Sequence, residues 1–215
     1  MSDIIAKVPE KFRSASVNDR GTLFLPAGRM IYGNFFVPSS PDREDKSQSK
    51  LQWGLTLLIP AGFDLSEVDR MVDDIITKEH KPVNAALRAK IKRPVIETAG
   101  VESLAGYADE YPFAIRLAAK AFDKNGQPRQ RPGVIDARNQ PITEDRAPEE
   151  CYDGRWCRIS ARPYPWTHTT GGKGVSLGLG NAQLLWNDDP LARGSARASD
   201  EFEAVEIDDF GGEYA

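Results

Sequence analysis

Apolar and polar positions alternate with a period of two over several stretches of the chain and switch to a helical period over one. Residues 51–59 carry apolar side chains at 51, 53, 55, 57 and 59, which predicts a strand with Trp53 on its buried face. Residues 29–37, 112–122, 133–138, 152–166 and 174–185 read as further strands, although the alanines of 112–122 also permit a helix. Between these runs, Leu65, Val68, Val72, Ile75 and Ile76 form the apolar stripe of a helix from Asp64 to about Glu79. Asp64, with Glu67 three residues on, resembles a capping box at its start. Pro82 interrupts the stripe, and 83–90 reads as a second, shorter helix. Polar loops are expected at 38–49 (PSSPDREDKSQS), 126–132 (GQPRQRP) and 167–173 (THTTGGK), and the turn-rich 94–110 fits no element. The expected fold class is mainly β with a helical insertion.

Composition supports that pattern. Hydrophobic residues are 40% of the 215, enough for a core, while 18 glycines and 15 prolines favour short strands joined by turns. There is no apolar run long enough to span a bilayer, and the first residues, MSDIIAKVPEKF, lack the layout of a signal peptide, so a cytoplasmic location without membrane contact is expected. Apolar residues thin out near the end, giving one domain over 1–198 and a flexible acidic tail over 199–215. The tail changes the reading of charge. Residues 200–215 hold seven acids and no base; setting them aside leaves 25 acids against 28 bases, so a chain of net charge −4 has a body of +3. A mildly basic body permits an anionic partner.

The segment 156–166 (WCRISARPYPW) carries the candidate chemistry. Successive side chains of a strand point to opposite faces. One parity holds Cys157, Ile159 and Ala161, suited to a core; the other holds Trp156, Arg158, Ser160, Arg162, Tyr164 and Trp166. Rings interleaved with arginines suit single-stranded nucleic acid, because every base offers a face to stack on and every phosphate a charge to pair. The same face would equally serve as a second apolar layer beneath a helix. Residues 112–122 repeat the theme with Arg116, Lys120 and Phe122 on one parity, and Arg129 and Arg131 follow.

Enzymatic constellations are missing from the sequence. In GGKG (171–174) Lys173 precedes Gly174 where a phosphate-binding loop needs Ser or Thr. Gly178-Leu-Gly180 lacks the third glycine of a dinucleotide fingerprint. Two cysteines, Cys151 and Cys157, with two distant histidines, His80 and His168, are too few for zinc. No metal, no cofactor and no catalytic residue is expected.

The ordered blocks WGLTLLIP (53–60), PGVID (132–136), CYDGRWCRISARPYPW (151–166), KGVSLGLGNAQ (173–183) and DPL (189–191), followed by the acidic tail, resemble the phage single-stranded DNA-binding proteins formerly catalogued as a domain of unknown function. The resemblance implies an OB-type five-stranded barrel with extra strands, a role in phage DNA replication or recombination, and a location in the host cell cytoplasm. It also implies a tail that meets replication proteins such as polymerase or helicase. The even face of 156–166 and Lys173 carry over; the closing aromatic of the family's tail does not, because Ala215 follows Tyr214.

The expected stacking residues are therefore Tyr164, Trp166, Trp156 and Phe122, with Tyr164 and Trp166 ahead of Trp156. The expected phosphate ligands are Arg158, Arg162, Arg116, Lys120 and Lys173. The tail residues Asp200, Glu201, Glu203, Glu206, Asp208, Asp209, Phe210 and Glu213 are expected to bind a partner or to compete with DNA for the groove. Two alternatives stand beside this: a mediator that anneals strands with the same surface, and an OB-like assembly module whose aromatic face is buried in a homodimer.

Overall fold

Alternating sequence becomes strand wherever one face finds a core. In the computed structural model, which describes residues 3–42 and 44–191, a short helix α1 (Asp3–Lys7) precedes the two-residue strands β1 (Ser16–Val17) and β2 (Leu23–Phe24). Then come β3 (Gly28–Ser39) and β4 (Gln52–Ile59), the helices α2 (Ser66–Ile75) and α3 (Ala85–Ala89), and β5 (Val95–Glu97). The chain continues through β6 (Phe113–Lys120), β7 (Val134–Ile135), α4 (Ala147–Glu150), β8 (Trp156–Thr167) and β9 (Lys173–Leu184). The strands and both helices expected from periodicity are all present, and 112–122 resolves as strand because β4 pairs with it along its whole length, from Gln52 opposite Lys120 to Ile59 opposite Phe113.

The pairings return on themselves. β3 pairs antiparallel with β4, β4 with β6, β9 with β8 and β8 with β3, while β6 and β9 run parallel. β2 adds to β8 and carries β1; β5 adds to β6, and β7 to β9. The residues that face inward from this circuit form the main core, including Met30, Trp53, Leu57, Ile115, Leu117, Ile159 and Leu177. Val68, Val72 and Ile76 of the helical stripe join the same core. A second cluster lies on the other side of the sheet at one end, where Ile5, Val8, Ile31, Leu58, Leu104, Tyr111 and Trp156 pack together.

One expectation changes here, and one gains detail. Glu67 closes no capping box: its carboxylate pairs with Arg70 at 2.6 Å, and the helix begins after Leu65 without a side-chain cap, Asp64 Oδ1 accepting from the Ser66 amide. The helix also runs on past Ile75 as a single wide turn (Ile76–His80), ended by Lys81 at φ 42°. The acidic tail expected at 199–215 lies outside the described residues.

Candidate nucleic-acid interface

The long strands β8 and β9 build one wall of the site. On β8, Cys157, Ile159 and Ala161 are buried as their parity requires, while Arg162 and Tyr164 are exposed and Arg158, Ser160 and Trp166 half-buried. Opposite them β9 presents almost no side chain: Ser176, Gly178 and Gly180 share its outward face. An extra residue on β9, between the pairs Ile159–Ala182 and Ala161–Leu179, brings Asn181 N within 2.7 Å of Ser160 Oγ.

Pairing register sets a row of small residues across the sheet. Asn34 of β3 lies opposite Gly54 of β4, Gly54 opposite Ala118 of β6, Ala118 beside Gly178 of β9, and Gly178 opposite Arg162 of β8. Gly54 is required sterically, since a Cβ there would sit 2.8 Å from the Leu117 carbonyl oxygen. The Tyr164 ring leans over this row, two of its carbons 3.6 and 3.8 Å from where a Gly178 Cβ would stand. A floor without side chains lets an extended polymer lie close to the sheet, with taller groups on either side to hold it.

Those taller groups share one sign of charge. Three contiguous depressions of ≈ 360, 740 and 430 Å³ follow the floor. The first and second share Ala118 and Tyr164; the second and third share Thr22, Ser160 and Asn181. Their described lining residues include Arg20, Arg116, Lys120, Arg129, Arg158 and Arg162, and no Asp or Glu. The arginines of the helical insertion, by contrast, are neutralised: Arg93 pairs with Asp69 and Asp73, Arg88 with Asp73, and Arg70 with Glu67 and Asp74. Arg93 holds the Asp73 carboxyl below the usual carboxylate range. Among the described residues that line the groove no carboxylate screens the cations, so their field is available to a polyanion.

A model of the family described as Enterobacter phage Enc34, ssDNA-binding protein, matches residues 23–210. The chain belongs to that family. Among solved structures, the single-stranded DNA-binding protein from bacteriophage Enc34 in complex with ssDNA is similar over 86% of this chain and 97% of its own, with TM-score 0.60 and 17% identity. A C-terminal truncation of that protein is similar over 85% and 95%, with TM-score 0.62 and 16% identity. The single-stranded DNA binding protein gp2.5 of bacteriophage T7 is similar over 86% and 98%, with TM-score 0.52 and 14% identity. No curated protein matches this chain. The fold of this family member is accordingly OB-like.

The groove gathers five of the expected site residues: Tyr164, Arg116, Lys120, Arg158 and Arg162. Lys120 Nζ also donates to the Ser49 carbonyl at 3.0 Å, tying the 38–49 loop to its rim. Arg158 lies between Phe12 and Phe24, its guanidinium 5.4 and 5.0 Å from their ring centres, and donates to Ser16 Oγ at 2.8 Å. Trp166 and Lys173 stand apart, at the far end of the β8–β9 hairpin. There the Trp166 ring lies against Gly174, which has no room for a Cβ, and edge-on to His168. Phe122 is half-buried against the main core.

Trp156 is a correction. It is fully buried in the second cluster, edge-on to Trp186, and its indole N–H donates to Asp188 at 2.9 Å, so no base can reach its face. The parity argument fails at this end of β8 because both faces of the sheet are covered there. Tyr32, Arg20, Asn34 and Phe24 complete the groove and were not expected. Tyr32 is 41% exposed and sits at φ 56°, a backbone conformation its sequence gives no hint of; Asp153 Oδ1 accepts from its amide at 2.8 Å and holds it there.

Proposed function

We propose that this protein binds single-stranded DNA, without strong preference for sequence along most of the groove, as part of phage DNA replication. The observation that carries the proposal is the groove itself: a floor of Gly54, Ala118 and Gly178, the Tyr164 ring above it, and six cations with no acid among its described lining residues. The closed circuit β3–β4–β6–β9–β8, with its single parallel pair, supports reading the domain (1–198) as a five-stranded OB-type barrel carrying β1, β2, β5 and β7 as extra strands. Arg116, Arg162, Lys120 and Arg129 contact phosphates, and Tyr164 stacks on a base with Tyr32 as a second ring. Trp166 and Lys173 extend the track toward the hairpin end. The protein works by binding, with no chemical step of its own, in the host cytoplasm; no described helix is long and apolar enough to cross a membrane. The acidic segment 200–215 competes with DNA for the groove and is released to a replication partner when DNA binds.

The test is the double charge reversal Arg116→Glu, Arg162→Glu, both exposed and so removable without loss of folding. Fluorescence anisotropy with a labelled single-stranded oligonucleotide should show affinity reduced by about tenfold or more for each arginine. Unchanged affinity in a folded variant excludes the groove as the binding surface.

A further inference from the structure

The third depression differs from the rest of the groove. It is held between two turns of one design. In 18–22 the Asn18 side chain accepts from the amides of Arg20 and Thr22, Asn18 N donates to Thr22 O, and Gly21 N donates to Asn18 O. In 136–140 the Asp136 side chain accepts from Arg138 and Gln140, Asp136 N donates to Gln140 O, and Asn139 N donates to Asp136 O. A third copy, 123–127, repeats the same four bonds from Asp123. The fourth residue of each has positive φ: Gly21 at 73°, Gly126 at 78°, Asn139 at 62°. Turns so fully bonded hold their side chains in place before any ligand arrives.

Between the two turns, side-chain amides join Arg20 and Arg158, and no glycine is among the described residues that line the depression. Asn18 spends its oxygen on its own turn, Asn181 Oδ1 accepts from Gly133 N at 2.8 Å, and Asn139 Oδ1 accepts from Gln183 Nε2 at 3.0 Å. Each of these three asparagines thus has its oxygen fixed and its NH2 group left to donate, while Gln183, with its nitrogen engaged, offers a carbonyl. All four line the depression, whose wall is the Phe24 ring stacked under Arg158. Three amide donors and one amide acceptor lining a single depression are complementary to a keto pyrimidine, whose two carbonyl oxygens flank an N–H. Cytosine places an amino group where thymine has O4.

We propose that this pocket is a base-reading subsite that takes one thymine of the bound strand, at an end of a groove otherwise indifferent to sequence. The proposal rests on the reading of the groove as a single-strand track. A site built to hydrogen-bond a keto base leaves its donors facing an amino group when cytosine enters, so the difference is one to two hydrogen bonds.

Oligomers of deoxyuridine and deoxycytidine test it, because they differ only in the edge being read. With full-length protein, anisotropy titrations should show the deoxyuridine oligomer binding about three- to tenfold tighter. The variant Asn18→Asp, Asn139→Gly removes two donors and keeps both turns, since Asp stands at the first position of 123–127 and 136–140 and Gly at the fourth position of 18–22 and 123–127. In it the ratio should fall to about one, as should the ratio in the uncharged single variant Asn139→Gly in part. Arg116→Ala should weaken both oligomers alike and keep the ratio. Equal affinities in the wild type, or a ratio that survives the double variant, overturn the subsite and leave the groove standing; failure of the wild type to bind either oligomer overturns both.

Discussion

Tyr164→Ala and Trp156→Phe separate the surface of β8 from its core. The two residues share a strand and a parity, and differ in that Tyr164 is 45% exposed while Trp156 is fully buried. Removing the Tyr164 ring uncovers Gly178 and little else, so thermal stability should change by no more than a surface substitution does, about half a kcal/mol. A base that stacked on the ring loses about 1–3 kcal/mol, which is roughly a 5- to 150-fold weaker Kd for single-stranded DNA. Trp156→Phe keeps an aromatic in the second cluster but deletes the indole N–H, leaving Asp188 Oδ2 short of a donor in a buried setting. That costs about 1–3 kcal/mol of stability and should leave affinity untouched below the melting transition. Thermal unfolding and anisotropy on the same two proteins give the comparison. The assignment is refuted if Tyr164→Ala binds as tightly as wild type, or if Trp156→Phe weakens binding while still folded.

Arg29→Met, near the start of β3, should be strongly destabilising. Arg29 is 5% exposed, donates to the carbonyls of Gly154 and Asp189, and pairs with Asp188 at 3.4 Å. Breaking a buried pair costs about 3–5 kcal/mol, a fall in Tm of roughly 6–20 °C by differential scanning calorimetry, and a fall under about 2 °C would contradict it. The two thiols should resist iodoacetamide at pH 8 in the folded protein and react once it is denatured. Burial pushes Cys151 up to about 11 and Cys157 higher still, so neither holds appreciable thiolate; rapid native-state alkylation of Cys151 would refute this. Deleting residues 200–215 should tighten oligonucleotide binding, most at low salt, whereas affinity unchanged or weaker at every salt concentration would exclude a competing tail.

What the sequence disclosed was local. The alternation of 51–59 located β4 and put Trp53 inside, and the parity of 157–161 located the inner face of β8, because each pattern is set by residues within one strand. Trp156 escaped the same rule because the cluster that takes it in also holds Ile5, Val8, Leu104 and Tyr111, and its ring meets Trp186, none of them near it in sequence. β1 and β2, two residues each, carry no periodicity of their own and exist only because β8 offers an unpaired edge to Leu23 and Phe24. The groove was half legible for the same reason. Arg158, Arg162 and Tyr164 stood in one strand, but the floor needs Gly54, Ala118 and Gly178 in one row, and only three-way register makes that row. Tyr32 needed a backbone angle, and the amide pocket needed two turns more than a hundred residues apart to face each other.

A basic groove with exposed rings should select an unpaired strand, and a single titration tests this most directly. Full-length protein is titrated against a single-stranded oligonucleotide and against the duplex of the same length, across a series of salt concentrations. Stacking on Tyr164 requires open base faces, so the single strand should bind more tightly at every salt, with affinity falling as a log–log slope of about −0.7 per phosphate neutralised. Equal affinity for the duplex would reduce the groove to a plain basic surface and contradict the account.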